Sequence, residues 1–179
     1  MLDLINKVLD VASVESGEIK LSCEPVQIKP VFEEIFTYSH SIAEKKDIKI
    51  IDETSGFDEY YILLDKARFK QVMSILVSNA VKYNTHEGSV TFYIQNINNS
   101  RLRFCVKDTG SGIPATLLPN VFELFNHLGS ETLQVEGVGL GLCVAKNLVE
   151  LMDGRIEVGS IPNVGTTVYV ELPICDSPT

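Results

Sequence analysis

The spacing of hydrophobic residues changes several times along this chain, and these changes predict alternating helices and strands. Apolar residues three and four positions apart indicate a helix, whereas apolar and polar residues in alternation indicate a strand with one buried face. The predicted helices cover residues 1–14, 30–46, 66–83 and 138–152. The predicted strands cover residues 19–28, 47–52, 60–64, 89–97, 101–108, 154–160 and 164–173.

This order predicts an α+β fold, a two-layer α/β sandwich in which helices pack on one face of a mixed sheet. A short N-terminal helix precedes it, either as the end of a longer helix or as a free-standing one. Asp65 is a predicted N-cap, and Asn98-Asn99-Ser100 predicts a hairpin turn between its flanking strands. Residues 109–136 show no period, and a loop of that length in a compact domain is usually functional.

Composition excludes several classes of protein. The 179 residues, 45% of them hydrophobic, suffice for one packed core, and the net charge of −9 argues against a nucleic-acid-binding surface. No apolar run reaches the roughly 18 residues of a membrane-spanning helix and no secretory leader is visible. We therefore expect a cytoplasmic domain without direct membrane contact, although the parent protein could be membrane-anchored elsewhere. Four cysteines without a CxxC pair and three histidines predict buried, reduced thiols rather than a zinc site.

Three polar or aromatic residues share one face at the end of the helix predicted over 66–83. Asn79, Lys82 and Tyr83 stand at positions i, i+3 and i+4. They offer an amide oxygen for Mg²⁺, an ammonium group for phosphate and a ring for a nucleobase. The alternative is an ordinary solvated helix end.

Two glycine-containing segments add further candidate chemistry. Asp108 ends an apolar strand and enters Gly110-x-Gly112, where a carboxylate can accept a hydrogen bond from an exocyclic amine while glycines let the backbone approach a ring. A plain Asp-x-Gly turn is the alternative. Residues 137–142 place three alternating glycines before a helix, whose positive end and N–H groups suit a phosphate chain. A long loop precedes this segment, so a Rossmann motif, which needs a preceding strand, is not expected.

Taken in order, these segments resemble the catalytic, ATP-binding domain of sensor histidine kinases, which has a fold of the Bergerat (GHKL) type. Residues 79–83 resemble the N box of that family, and residues 108–113 resemble its first glycine box. Phe122-Glu123-Leu124-Phe125 is similar to the F box, residues 137–142 to the second glycine box, and Gly165-Thr166-Thr167 to the start of the closing strand.

The resemblance implies roles for the matching residues. Asn79 would coordinate Mg²⁺ and Lys82 would contact phosphate, which makes these two the expected catalytic residues. Residues 109–136 would form a lid over ATP. The residues implied to bind the nucleotide are Asn79, Lys82, Tyr83, Asp108, Gly110, Gly112, Ile113, Phe122, Gly137, Gly139, Leu140, Gly141, Leu142 and Thr166.

The resemblance also implies a division of the chain and its partners. Residues 1–21 would be the end of the second helix of a dimerisation and histidine-bearing domain with a linker, 22–174 the catalytic domain, and 175–179 a tail. The expected partners are that histidine-bearing domain and, indirectly, a response regulator or receiver domain. His40 and His86 do not occupy the acceptor position, so we expect ATP-dependent transfer to a supplied histidine but no autophosphorylation.

Two departures from the family pattern bear on activity. Ile75 lies one helical turn before Asn79, where gyrase-like relatives carry a glutamate and most histidine kinases an asparagine, and isoleucine neither accepts a proton nor binds metal. Residues 109–136 contain no Lys or Arg, and His127 stands where many such kinases have a phosphate-contacting arginine. Two alternatives therefore stay open. They are a degenerate nucleotide-sensing or interaction module with weak or no phosphotransfer, and a gyrase-like ATPase, which the missing glutamate disfavours.

Overall fold

A computed structural model describes residues 12–13, 16–17, 19–123 and 140–178. Its helices are α1 (Ile28–Ala43), α2 (Lys66–Lys82) and α3 (Gly141–Leu151), with short 3₁₀ turns at Glu44–Lys46 and Leu118–Asn120. Its strands are β1 (Glu24–Gln27), β2 (Lys49–Glu53), β3 (Tyr61–Leu64), β4 (Ser89–Ile97), β5 (Arg101–Asp108), β6 (Arg155–Ile161) and β7 (Gly165–Cys175). The predicted N-terminal helix falls almost entirely outside the described residues.

The strands form a single mixed sheet. Their order is β1-β3-β7-β5-β4-β2, and β6 pairs with β7 beside this path. Only the β2–β4 pair is parallel among the described strand pairs, and the predicted β4–β5 hairpin is present, with Val90 opposite Asp108 and Ile97 opposite Arg101. Residues that alternate along the central strands are buried against the helices, as strand geometry requires.

The core lies between the sheet and its helices and is centred on aromatic side chains. Phe32 of α1 stacks on Phe104 of β5 with ring centroids 5.6 Å apart, and Phe69 of α2 meets the same ring edge-on at 5.3 Å. All three side chains are almost fully buried. Two helices are thus joined to the central strand through one ring, which confirms the two-layer sandwich.

Asp65 fixes both the start of α2 and the path of the chain before β1. Its Oδ1 accepts a hydrogen bond from Arg68 N at 3.1 Å, which confirms the predicted N-cap, and its Oδ2 accepts one from Ser22 N at 3.0 Å. The partner strand β3 ends at Leu64, opposite Glu24, so no strand forms before Glu24. The strand predicted over 19–28 is therefore shorter than expected.

The prediction of buried thiols holds for two of the four cysteines. Cys105 and Cys143 are buried, whereas Cys175 is only partly buried and Cys23 is exposed because it precedes β1 at the margin of the sheet. Among the described residues, no helix combines the length and the apolarity that a membrane span requires.

Candidate functional site

Alternate side chains of β5 face the core, and Asp108 is the last of them after Leu102, Phe104 and Val106. Its side chain is buried, and its Oδ1 accepts hydrogen bonds from Gly110 N at 2.8 Å and from Thr166 N at 3.1 Å. Burial raises the pKa of Asp108, and these two backbone N–H groups act in the opposite direction without cancelling it. A carboxyl group at the end of a buried strand is therefore held in one orientation by main-chain donors.

The loop after Asp108 passes close to other backbone segments, and glycines make this possible. A Cβ at Gly110 would collide with the carbonyl oxygen of Tyr83, to which Ser111 N donates a hydrogen bond at 3.2 Å. Gly112 has φ +69°, and a Cβ there would collide with the carbonyl oxygen of Ile161. The loop thus runs between the end of α2 and the β6–β7 turn.

Asn84 and Thr109 tie the end of α2 to the start of this loop. Thr109 Oγ1 donates to Asn84 Oδ1 at 3.1 Å and accepts from Ser89 N at 2.9 Å, while Asn84 Nδ2 donates to the Ser89 carbonyl at 2.9 Å. These residues were not predicted from the sequence, because they are separated from their partners by up to 25 positions and no local pattern marks them.

Ser160 of β6 connects the other side of the loop to β7. Its Oγ accepts a hydrogen bond from Ile113 N at 2.7 Å, donates one to the Gly165 carbonyl at 3.0 Å, and lies 2.8 Å from Thr166 Oγ1. Ser160 stands opposite Thr166 in the β6–β7 register. Ser160 was not predicted from the sequence, although its place on the strand that faces the predicted Thr166 could have indicated it.

The candidate metal and phosphate ligands lie at the end of α2. Asn79 is half-buried in the last turn, and among the described residues its side-chain amide has no hydrogen bond. Lys82 is the last helical residue, and its Nζ lies 5.2 Å from the ring centroid of Tyr83. Tyr83 caps the helix and is 48% exposed. Its backbone therefore takes part in the loop contacts while its ring faces solvent.

The N-terminus of α3 approaches α2 one turn before Asn79. A Cβ at Gly141, the first residue of α3, would lie 3.1 Å from Ile75 Cγ2. Leu140 is buried directly before it, and Leu142 is half-buried after it. Gly137 and Gly139, which were predicted to wrap phosphates, lie outside the described residues.

Phe122 lies near α3. Its ring is half-buried, packs against the core and lies 5.7 Å from Lys146 Nζ. Glu123 of the predicted F box is exposed, and Leu124 and Phe125 lie outside the described residues, as does His127.

The structure therefore assembles two groups of the predicted residues. One group surrounds Asp108, which accepts hydrogen bonds from Gly110 and Thr166, while Ser160 links Ile113 to Thr166; its members are Asp108, Gly110, Gly112, Ile113 and Thr166. The other group lies where α2 ends and α3 begins, and its described members are Asn79, Lys82, Tyr83, Leu140, Gly141 and Leu142.

Comparison with known proteins identifies the family. Residues 64–176, which include both groups, match the histidine kinase-, DNA gyrase B-, and HSP90-like ATPase family. The chain belongs to this ATPase family. Its residues constitute an ATP-binding catalytic domain of the type found in two-component sensor histidine kinases.

Individual proteins are similar to this domain over almost its whole length. The virulence sensor protein BvgS of Bordetella bronchiseptica is 35% identical over 179 residues, which cover 96% of this chain and 14% of BvgS. The autoinducer 2 sensor kinase/phosphatase LuxQ of Vibrio parahaemolyticus is 32% identical and is covered to 21%. Full-length ShkA, solved in complex with AMPPNP, superposes with a TM-score of 0.85 at 30% identity over 99% of this chain and 36% of ShkA. The chain thus spans only about 14% of BvgS and 21% of LuxQ.

Proposed function

We propose that this domain binds Mg-ATP and positions the γ-phosphate for transfer to a histidine on a neighbouring domain. The observation that carries the proposal is the Asp108 carboxyl group, buried at a strand end, held by two backbone N–H groups and flanked by glycines at the closest backbone approaches. Such a site accepts the exocyclic amine of adenine in a fixed direction. The binding of AMPPNP by ShkA supports this assignment.

The adenine would lie against the loop from Asp108 to Ile113. Asp108 accepts the amine, and Gly110 and Gly112 leave room beside the base because they carry no side chain. Thr166 closes the pocket on the β7 side. Tyr83 would contact the base from the rim, since about half of its surface is exposed there.

The triphosphate would extend towards the end of α2 and the start of α3. Lys82 supplies a positive charge, and Gly141 lets the first turn of α3 direct backbone N–H groups at phosphate oxygens. Phe122 and Leu142 border this end, with Leu140 buried beneath it. Gly137 and Gly139 are proposed to complete the phosphate contacts.

Mg²⁺ fits the donors that are present. The Asn79 amide oxygen is available as one hard ligand, and Mg²⁺ characteristically keeps several waters and takes its remaining ligands from substrate phosphates. Within the described part of the chain, no group of three or more His, Cys, Asp or Glu side chains forms a dedicated metal cage. When bound, the ion neutralises and orients the β- and γ-phosphates.

The residues of this domain would act by positioning and by charge stabilisation. The acceptor would be an imidazole on a dimerisation domain, of which residues 1–21 are proposed to be the end. Residues 22–174 would be the catalytic domain and 175–179 a tail, and a response regulator or receiver domain would receive the phosphoryl group later. His40 and His86 are both exposed and are not proposed as acceptors.

A second candidate is a nucleotide-sensing module with weak or no transfer. Ile75 favours it, because an apolar side chain packed near Gly141 occupies the turn before Asn79 and supplies no ligand or proton acceptor. This candidate predicts ATP binding without phosphoryl transfer.

Calorimetric titration with ATP, in Mg²⁺ and then in EDTA, tests the proposal. We expect binding that weakens strongly in EDTA and in Asn79→Ala, while Asn96→Ala, a control on the far end of β4, binds as wild type does. Transfer of phosphate to a supplied histidine-bearing domain would separate the two candidates. Absence of ATP binding in either condition would overturn both.

A further inference from the structure

The Ser160 hydroxyl has all its hydrogen-bonding capacity assigned by its neighbours. A carbonyl oxygen only accepts, so the 3.0 Å bond to Gly165 O takes the single Ser160 proton. The Ile113 N–H donates to the Ser160 oxygen at 2.7 Å. The 2.8 Å bond between the Ser160 and Thr166 hydroxyls must then use the proton of Thr166.

This assignment fixes the polarity of the Thr166 hydroxyl. With its proton directed at Ser160, Thr166 Oγ1 presents only lone pairs to a ligand. Thr166 is half-buried beside Asp108, whose Oδ1 accepts the Thr166 backbone N–H at 3.1 Å. The ionised carboxylate also presents only acceptors.

We propose that Ser160 is a positioning residue for nucleobase specificity, because it holds the Thr166 hydroxyl as an acceptor and thereby favours an amino group over an oxo group at C6 of a purine. This inference rests on the proposed function of the site. The amino group of a 6-aminopurine donates hydrogen bonds and therefore matches the acceptors on Asp108 and Thr166. A 6-oxopurine places a third acceptor at the same position, and Thr166 could satisfy it only by releasing Ser160.

Ser160 also anchors the backbone on which the base would lie. Its bond to Ile113 N links β6 to the last residue of the loop that begins at Asp108, over a separation of 47 positions. Loss of the hydroxyl would leave Ile113 N without this acceptor and would free the Thr166 proton to turn towards the ligand. Both changes act on the base and leave the phosphate end untouched.

The test measures dissociation constants for ATP and ITP, which differ at C6 and N1 of the base, on the whole 179-residue protein. Wild type should prefer ATP, and in Ser160→Ala the preference for ATP over ITP should fall about five- to tenfold, the range expected for one neutral hydrogen bond. Ser160→Thr keeps the hydroxyl and should restore the preference. Thr167→Ala, on the neighbouring residue whose side chain faces the other side of the sheet, is the matched control and should leave the ratio unchanged.

The triphosphate of unsubstituted purine riboside separates loss of the amine from gain of the oxo group. Its dissociation constants for Ser160→Ala and for wild type should differ by a smaller factor than those of ITP do. A merely structural role for Ser160 would lower the midpoint of thermal unfolding and would weaken all three nucleotides equally, which would overturn the inference.

Other outcomes are equally decisive. If Ser160→Ala keeps the wild-type ratio, or if wild type binds ITP as tightly as ATP, the inference fails while the proposed ATP site stands. If Ser160→Ala does not fold, Thr166→Val removes the same hydroxyl polarity, and an unchanged ratio in that variant overturns the inference. If wild type binds no nucleotide, the proposed function fails and the inference falls with it.

Discussion

The two ends of the proposed site are built differently. At the base end, Asp108, Ser160 and Thr166 are fixed by hydrogen bonds to one another or to backbone groups. At the phosphate end, Asn79 carries an amide with no hydrogen bond among the described residues, and Lys82 ends a helix. In the proposed site, base recognition would therefore be organised before a ligand arrives, whereas the Asn79 amide at the phosphate end would take its partner from Mg²⁺ and the bound nucleotide. Variants at the base end should change stability or selectivity as well as affinity, whereas removal of the Lys82 ammonium group at the phosphate end should change ATP affinity alone.

Gly165→Ala should have the largest effect, because it displaces the backbone at the base end. Gly165 has φ +147°, and a Cβ there would collide with the carbonyl oxygen of Asp108. We expect the free energy of unfolding to fall by about 2–4 kcal/mol, from backbone strain together with displacement of the strand end. Urea denaturation measures this change.

Gly56→Ala is the matched control for that variant. Gly56 also has a positive φ, +91°, but a Cβ there meets nothing within 4 Å. It should lose only the strain contribution, about 1 kcal/mol. Equal losses in the two variants would show that the close approach of Gly165 to Asp108 has no energetic weight.

Asp108→Asn should separate recognition from stability at the base end. Asparagine can still accept the two backbone hydrogen bonds through its Oδ1, but it offers an amino group, not a second carboxylate oxygen, to the adenine amine. We expect ATP affinity to fall about ten- to a hundredfold, as for loss of a hydrogen bond to a charged group. Titration calorimetry would measure this loss. Wild-type affinity in the variant would show that Asp108 does not contact the adenine.

The same variant makes a pH prediction. Because the folded-state pKa of Asp108 is raised by burial, the ionised group opposes folding, and wild type loses stability as pH rises from the ordinary carboxyl range through the raised pKa. Asp108→Asn should lack that component, so its stability relative to wild type should increase over this interval. A relative stability that decreases as pH rises would contradict the burial argument. ATP binding by wild type should weaken as pH falls through the raised pKa, since the protonated oxygen no longer accepts.

Lys82→Ala tests the phosphate end and should have a smaller effect. Lys82 is half-buried at the end of α2, and we expect ATP affinity to fall about tenfold while adenosine affinity stays unchanged, because only the phosphates meet the ammonium group. Lys107→Ala, an exposed lysine on the opposite face of the sheet, is the control. An equal loss of ATP and adenosine binding would place Lys82 in a structural role.

Local patterns predicted most of the fold. The β4–β5 hairpin was predicted at its observed bounds because alternation and the Asn98-Asn99-Ser100 turn are both local features. The cap of α2 was predicted because Asp65 needs only its own helix to act. The sheet order, in contrast, depends on pairings between distant strands and was not predicted beyond its mixed character.

The candidate site was predicted where a motif carries it and missed where contacts between distant segments do. Asp108 was selected from its glycine neighbours, but Ser160 acquires its hydrogen bonds from Ile113 and Thr166, which reach it only after β6 and β7 pair. Likewise, β1 is shorter than predicted because β3, the distant strand with which it pairs, ends at Leu64. The roles assigned to Gly137 and Gly139 stay predictions.

Ile75→Asn should have the smallest effect on binding, and it sharpens the comparison most directly. Ile75 is half-buried against the first residue of α3, so an asparagine should reduce stability by about 1 kcal/mol, and Ile75→Val, which keeps the apolar contact, should reduce it less. ATP affinity should change by less than about threefold, since neither the base contacts nor Lys82 is altered. The informative measurement is phosphoryl transfer to a supplied histidine-bearing domain. If the proposed kinase function is right, the rate in Ile75→Asn stays near that of wild type. A large gain in Ile75→Asn that Ile75→Val does not share would mean that the wild-type phosphate end lacks a needed ligand, and the nucleotide-sensing module would then be the better description.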